Sequence, residues 1–264
     1  MYEFNYHKAS SVADAAAKLA AAADAKLMAG GQTLIAALKL RLASPSDVID
    51  LRGVAELRGI RKDGGAISIG ALTTHAEVAA SKDVLQAVPA LASLAASIGD
   101  PMVRNMGTLG GSIANNDPAA DYPAGVLALG ATVHTNKRKV AAADFFTGMY
   151  ETALQPGEII TSVSFPLPKR AGYAKFKNPA SRYAIVGVFV AETANGVRVA
   201  VTGAGPCVFR VPELEKALAA KFSADAIANI KVAAAGLNSD MHASAEYRAH
   251  LVTVMTKRAV AAAT

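Results

Sequence analysis

The apolar positions of this chain change their rhythm twice between the first residue and the last. In the first fifty residues, helically spaced runs alternate with short continuous ones. SVADAAAKLAAAA puts Val12, Ala16 and Leu19 on one face, with Ser10 or Ser11 as N-cap, and predicts a helix. KLMA predicts a short buried strand that stops at Gly30-Gly31. TLIAALKLRL predicts a second helix, which Pro45 separates from a strand at DVIDL. Together these make a small α/β lobe with a Gly-Gly turn at a strand-to-helix junction.

Between about 57 and 170 the texture becomes mixed. LRGIRKDGGAISIG reads as a hairpin turning at Asp63-Gly64-Gly65. HAEVAAS and VPALASLAASIG read as helices, the second ended by Gly99 with Pro101 close behind. The segment TLGGSIANNDPAADYPAG (108–125) then gives up helix and strand propensity together, and predicts a polar loop shaped for close backbone approach by a ligand. VLALGATVHTN and GEIITSVSFPLP run apolar or alternate as strands do, and Pro166 and Pro168 mark a boundary. Beyond it, YAKFK, YAIVGVFVAE and GVRVAVTGAG predict three strands, and PELEKALAA, ADAIAN and AEYRAHLVTVMTKRAV predict helices packed on their sheet. There are no repeats, low-complexity linkers or heptads.

Composition narrows the class. With 264 residues, 52% apolar and 18% charged, the chain can bury a substantial core and form two domains. The net charge of +6 raises the question of nucleic acid, but the basic residues are scattered. Their densest run is Lys137-Arg138-Lys139, and Trp is absent, so the clustered, aromatic-interleaved pattern of a nucleic-acid binder is missing. A phosphate-bearing cofactor or an acidic protein suits a basic surface better. One cysteine, Cys207, permits no intrachain disulfide and no cysteine-built metal site. The histidines at 7, 75, 134, 242 and 250 show no metal-ligand spacing and read as surface or partly buried polar residues. MYEFNYHK has no apolar targeting core and no apolar run reaches the ~20 residues of a bilayer span, so the expectation is a soluble cytoplasmic protein.

Chemistry concentrates in two loops, AGGQT (29–33) and TLGGSIAN (108–115). Glycine lets successive amides converge on an anion, and the first loop also opens a predicted helix, whose start favours phosphate. Thr33 and Ser112 could add hydroxyl donors. Taken singly, a Gly-Gly pair is more often a tight turn, and the first loop lacks the G-x-G-x-x-G dinucleotide pattern. Two such loops from different lobes could still clamp one pyrophosphate. Asp117 or Asp121 could accept from ribose hydroxyls or a ring N–H, or could cap the following helix.

AGGQTLIAALKLRLASPSDVIDL and GTLGGSIANNDPAADYPAGVLALGA closely resemble the FAD-binding medium subunits of molybdenum hydroxylases, the carbon monoxide dehydrogenase and xanthine dehydrogenase family. LQPGEIITSVSFPLP followed by GYAKFKNPASRYAIVGV is similar to that family's junction into its C-terminal domain, so the resemblance covers most of the chain. It implies an α+β chain: a two-lobed FAD-binding fold of the vanillyl-alcohol oxidase type over 1–168, with lobes of about 1–55 and 56–168. A C-terminal domain over 169–264 would carry an antiparallel sheet packed by helices. It places FAD against Leu27, Met28, Ala29, Gly30, Gly31, Gln32, Thr33 and Leu34 on one side, and Thr108, Gly110, Gly111, Ser112 and Asn115 on the other, with loops 29–33 and 108–112 wrapping its diphosphate through their amides. Asp121 matches the acidic contact to the nucleotide, Ile98 and Ile160 match apolar lining, Lys177 a cation near the isoalloxazine, and Tyr183 a cover for one ring face.

By the same resemblance FAD is held noncovalently, since neither loop carries His or Cys. The [2Fe–2S] clusters and molybdopterin sit on a small and a large partner subunit, in a dimer of three-chain units. Electrons arrive from the clusters and leave to an external acceptor. Gln32-Thr33 replaces the His-Ser of carbon monoxide dehydrogenases, so carbon monoxide is not implied as substrate, and a lone Cys207 excludes the branch with an extra cluster in this subunit. Two other classes are weighed: a self-sufficient FAD oxidase or reductase of the same fold, and a scaffold whose flavin site has decayed.

Overall fold

Ser11 sets the start of the first helix, its hydroxyl accepting the Asp14 amide at 3.0 Å. The computed structural model describes residues 1–264. In its first part, β1 (Asn5–Lys8), α1 (Val12–Ala21), β2 (Ala25–Met28), α2 (Leu34–Lys39) and β3 (Asp47–Asp50) form a parallel sheet of order β1-β3-β2. The edge strand β1 lies outside the expected elements. Ala15 of α1, Ile49 of β3, and Leu51, Val54 and Leu57 beyond it make a small core under this sheet. The chain leaves β2 through Gly31, whose φ of +72° suits glycine, and enters α2.

The hairpin of β4 (Ile60–Asp63) and β5 (Ala66–Gly70) turns where the sequence predicts, with Gly64 at φ +54°. A helical stretch follows: α3 (His75–Ala80), α4 (Lys82–Ala87), α5 (Pro89–Ala96), α6 (Pro101–Met106), α7 (Leu109–Asn115) and α8 (Tyr122–Leu129). Then come β6 (Thr132–Thr135), β7 (Lys139–Ala141), α9 (Ala142–Phe145), the small hairpin β8 (Phe146–Gly148) and β9 (Glu151–Thr152), and β10 (Ile160–Pro166). The large sheet is antiparallel, of order β4-β5-β10-β6-β7.

Two expectations are corrected here. The segment expected as a loop at 108–125 holds the helix α7 and the start of α8: Thr108 caps α7 by accepting the Gly111 amide at 3.1 Å, and Leu109 and Ile113 are fully buried. Val126–Leu129 of VLALG, read as part of a strand, belong to α8, all of whose residues are buried, and Gly130 ends it in the left-handed region. At about 2 kcal/mol for each fully buried large apolar side chain, burial of Val126, Leu127 and Leu129 outweighs the few tenths by which strand propensity opposes a helix.

The last part carries β11 (Arg170–Lys177), β12 (Ala184–Thr193), β13 (Gly196–Thr202) and the short β14 (Phe209–Arg210) in an antiparallel sheet, with α10 (Pro212–Ala220) and the long α11 (Ala245–Ala261) packed on it. ADAIAN, expected as a helix, forms one 3₁₀ turn over Ala224–Ile227. On one face of this sheet Val186, Val188 and Val201 pack with α11 residues Val252 and Met255. Its other face contributes Phe189, Ala191 and Ala200 to the largest core, shared with Leu91, Leu94 and Val126. The polar run at 116–121 fastens the α7–α8 connection to the third sheet. The Pro118 carbonyl accepts from the Gly203 amide at 2.7 Å and the Thr202 hydroxyl at 3.0 Å, and the Ala120 carbonyl accepts from that hydroxyl at 2.6 Å.

Candidate functional site

Where these parts meet, a cavity of about 600 Å³ opens. One wall is the β2–α2 junction, with Leu27 and Ala29–Leu34; the facing wall is the start of α7, with Thr108, Gly110, Gly111, Ser112 and Asn115. Ile98, Ile160, Asp117 and Asp121 complete the interior, and Tyr150 and Tyr183 stand at its rim, both more than two-fifths exposed. All but two of the residues singled out from the sequence line this one space. Met28 and Lys177 are the exceptions. Met28 turns into the core with Leu38 and Val48, and Lys177 is an exposed residue at the end of β11, outside the wall.

The two glycine loops contribute unequally. The amides of Gly30, Gly31, Gln32 and Thr33 have no acceptor within the chain, as befits a helix start. Amides 109–112 are all engaged: Leu109 donates to Thr73 O at 3.1 Å, Gly110 to Ala71 O at 2.9 Å, Gly111 to the Thr108 hydroxyl, and Ser112 to Thr108 O at 3.0 Å. The expectation that both loops offer converging amides is therefore corrected. The first loop supplies amides; the second supplies surface and the Ser112 hydroxyl, which bonds to nothing else in the chain.

Each glycine has its own reason. A Cβ on Gly30 would run into the Met106 carbonyl, so the first loop sits directly on the end of α6. A Cβ on Gly110 would meet the Ala71 carbonyl oxygen at 2.8 Å. One on Gly111 would stand 2.9 Å from the Thr108 hydroxyl and 3.5 Å from the Ala29 Cβ, in the gap between the loops. Gly111 is thus the glycine that keeps the cavity open, while Gly30 and Gly110 hold its walls together.

Asp121 stands at the N-cap position of α8 without capping it. Its buried carboxylate accepts from the Tyr173 hydroxyl and pairs with Lys175 at 3.0 Å, and Lys175 also donates to Ser97 O at 2.9 Å. Burial pushes this carboxyl upward, against the opposing pull of Lys175 and Tyr173. The buried cation nearest the site is therefore Lys175, two residues before the one expected. Strand alternation alone does not separate the two; the irregular pairing between Phe176 and Lys177 does. Glu158, at the far wall, is held at about 2 by hydrogen bonds from Arg138 and the Gln155 amide.

Tyr183 reaches the rim from a turn built by Asn178, whose side chain accepts the Ala180 and Ser181 amides at 2.9 and 3.1 Å. Arg182 in that turn, and Tyr150 in the β8–β9 turn, both have positive φ, +63° and +57°. The Asn116 side chain holds the second turn by donating to Gly148 O at 2.8 Å and Glu151 O at 2.7 Å. His75 is also in the wall, buried and held neutral, with its pKa lowered to about 4 by burial and by Arg104. Sequence reasoning passed over it. The available signal was its spacing from Val78 behind a Thr74–Glu77 capping box, which puts residue 75 on the buried face of α3.

Comparison with known proteins yields a consistent set. Residues 2–168 match the family described as FAD binding domain in molybdopterin dehydrogenase, and residues 171–263 the CO dehydrogenase flavoprotein C-terminal domain. The carbon monoxide dehydrogenase medium chain of Afipia carboxidovorans is 36% identical over 97% of this chain and 95% of its own length. The nicotine 6-hydroxylase medium subunit of Paenarthrobacter nicotinovorans is also 36% identical, over the same shares. Among solved structures, a chain of Cu,Mo-CO dehydrogenase superposes with a TM-score of 0.89 at 35% identity, covering 98% of this chain and 96% of that one. A chain of quinoline 2-oxidoreductase from Pseudomonas putida 86 gives 0.88 at 31% identity, over the same shares.

Proposed function

Given that this chain belongs to the FAD-binding medium subunits of the carbon monoxide dehydrogenase and xanthine dehydrogenase family of oxidoreductases, we propose that it is the electron-transfer subunit of a three-chain molybdenum hydroxylase. Bound FAD supplies the electron-accepting and electron-donating chemistry. In this reading residues 1–168 hold the cofactor, and 169–264 close the cavity from the side of the third sheet. Electrons come from [2Fe–2S] clusters on a small partner, which receives them from a molybdopterin-bearing large partner, and pass to an external acceptor. Two such three-chain units make the assembly.

The protein's own residues hold the cofactor and shape its surroundings. The free amides at 30–33 and the Thr33 and Ser112 hydroxyls bind the diphosphate, which fits a wall that offers donors with no internal acceptor. Leu27, Ile98 and Ile160 exclude water along the apolar part of the cofactor. Asp121, held in place by Tyr173 and Lys175, offers a carboxylate oxygen to a ring N–H or sugar hydroxyl. Tyr183, at the rim, would cover one face of the flavin ring. The observation that carries this reading is the meeting of the unsatisfied 30–33 amides and the Gly111 surface across a single cavity.

The test is to express the chain with and without its genomic neighbours. The chain alone should carry one FAD, released into the supernatant on acid denaturation, and should show no hydroxylase activity with an artificial dye. The partners should copurify through an interface burying on the order of 1,000 Å² or more, bringing iron, molybdenum and activity. Full turnover by this polypeptide plus FAD alone would overturn the subunit reading in favour of a self-sufficient flavoenzyme.

A further inference from the structure

His75 is 5% exposed, yet neither ring nitrogen makes a hydrogen bond within the chain. Nδ1 is sealed off without a partner; the ring lies 5.3 Å, centroid to centroid, from that of Tyr122, whose hydroxyl is likewise sealed and unpaired. Nε2 is not sealed: it lies at the cavity wall against Gly107. Polar atoms in folded proteins nearly always find a partner; none can reach the sealed Nδ1, so Nε2 is the atom of this imidazole that a molecule in the cavity can engage.

Gly107 supplies a second, independent observation. Its φ of −65° and ψ of 143° are open to any residue, so backbone conformation does not require glycine there. Space does: a Cβ at 107 would stand 2.6 Å from His75 Nε2 and 2.9 Å from Cδ2. The missing side chain leaves the imidazole its opening. The same Gly107 abuts the first glycine loop, since a Cβ on Gly30 would come within 2.9 Å of the Gly107 Cα. Nε2 therefore opens beside the loop whose amides lack acceptors.

We propose that His75 donates a hydrogen bond from Nε2 to a phosphate oxygen of the bound FAD diphosphate, through the opening that Gly107 leaves. This rests on the cofactor reading above and assigns the residue a place in it. The tautomer follows from the geometry: a sealed N–H without an acceptor is costlier than a sealed lone pair, so the proton sits on Nε2. The charged group that faces the ring is Arg104, and Tyr122 packs against it. A neutral donor adds a directed bond to the amides without another charge.

The experiment measures FAD binding by the full chain, stripped of cofactor, through quenching of flavin fluorescence. His75→Phe keeps a ring of similar shape without a donor and should raise Kd about tenfold or more, the usual effect of losing a hydrogen bond to a charged group. His75→Gln, which keeps an N–H, should recover part of the loss. Unchanged affinity in a folded His75→Phe would overturn the assignment, whereas a wild-type chain that takes up no FAD would overturn the cofactor reading itself. Nitrogen NMR of histidine-labelled wild type removes any dependence on how the variants fold. His75 should be the Nε2–H tautomer, and its resonance should move on adding either FAD or ADP. The Nδ1–H tautomer, or a response to FAD without one to ADP, would refute the phosphate contact.

Discussion

At Gly110 and Gly111 two adjacent glycines answer to different demands, and substitution separates them. Gly111→Val fills the gap between the loops, next to Ala29 and Thr108. The expected outcome is a folded protein with its flavin-to-protein absorbance ratio lowered severalfold. Gly110→Ala drives a methyl into the Ala71 backbone and should cost about 1–3 kcal/mol, read as a lower denaturation midpoint. Flavin loss in the second variant with full stability would reverse the two roles. His75 gives a pH signature in the cofactor-free protein. Its pKa falls from an ordinary 6.5 to about 4, so between those values the unfolded chain binds the proton that the folded chain refuses. The contribution is complete above about pH 6.5 and is lost as pH falls to 4, about 3 kcal/mol over the window. Denaturant titrations should show the wild type losing that amount of stability relative to His75→Phe between pH 6.5 and pH 4; a difference that does not change with pH would show an imidazole that titrates normally.

The elements divide into those whose sequence carries their fate and those whose surroundings decide it. The unit β2–Gly30-Gly31–α2 was legible because a strand, a positive-φ glycine and an amphipathic run follow one another locally. The β4–β5 hairpin was legible from Asp63-Gly64-Gly65, and the third sheet from its alternating runs. Helix α8 was not, because a fully buried helix is apolar all round and loses the 3.6-residue rhythm that distinguishes it from a buried strand. Helix α7 was hidden by its two glycines; what rescues it is the Thr108 cap and close packing on Ala71, both tertiary or cap effects that propensity does not count. The site was legible at the level of its two loops, but Lys175, Tyr150, Arg182 and His75 depend on how distant segments fold back. Asn116 shows the same dependence. It ends α7 in the left-handed region, at φ +44°, and its side chain holds the β8–β9 turn. Asn116→Ala should lose about 2 kcal/mol, lowering the melting temperature by roughly 5 °C, and should expose residues 146–152 to protease. Asn116→Gly should regain only the backbone part; full recovery would mean that the side-chain bonds are idle.

For the molecule as a whole, the cavity is a seam between three sheets rather than a pocket within one. No helix is long and apolar enough to cross a membrane, and the largest core runs without a break from α5 and α8 into the third sheet. The run at 116–121 borders that seam on one side, through Asp117, Ala120 and Asp121, and is tied to Thr202 and Gly203 on the other. A ligand that orders this run must therefore strengthen the joint between sheets as well as its own site. Free FAD at a hundred times its Kd should add about 2.7 kcal/mol to the stability of the stripped chain, so the melting temperature should climb with FAD concentration; a flat melting temperature would mean that the folded chain does not bind FAD. Inside a cell the same linkage would make cofactor supply a form of proofreading. Chains without FAD would then open more often along the seam and reach proteases first, leaving a surviving pool enriched in loaded ones.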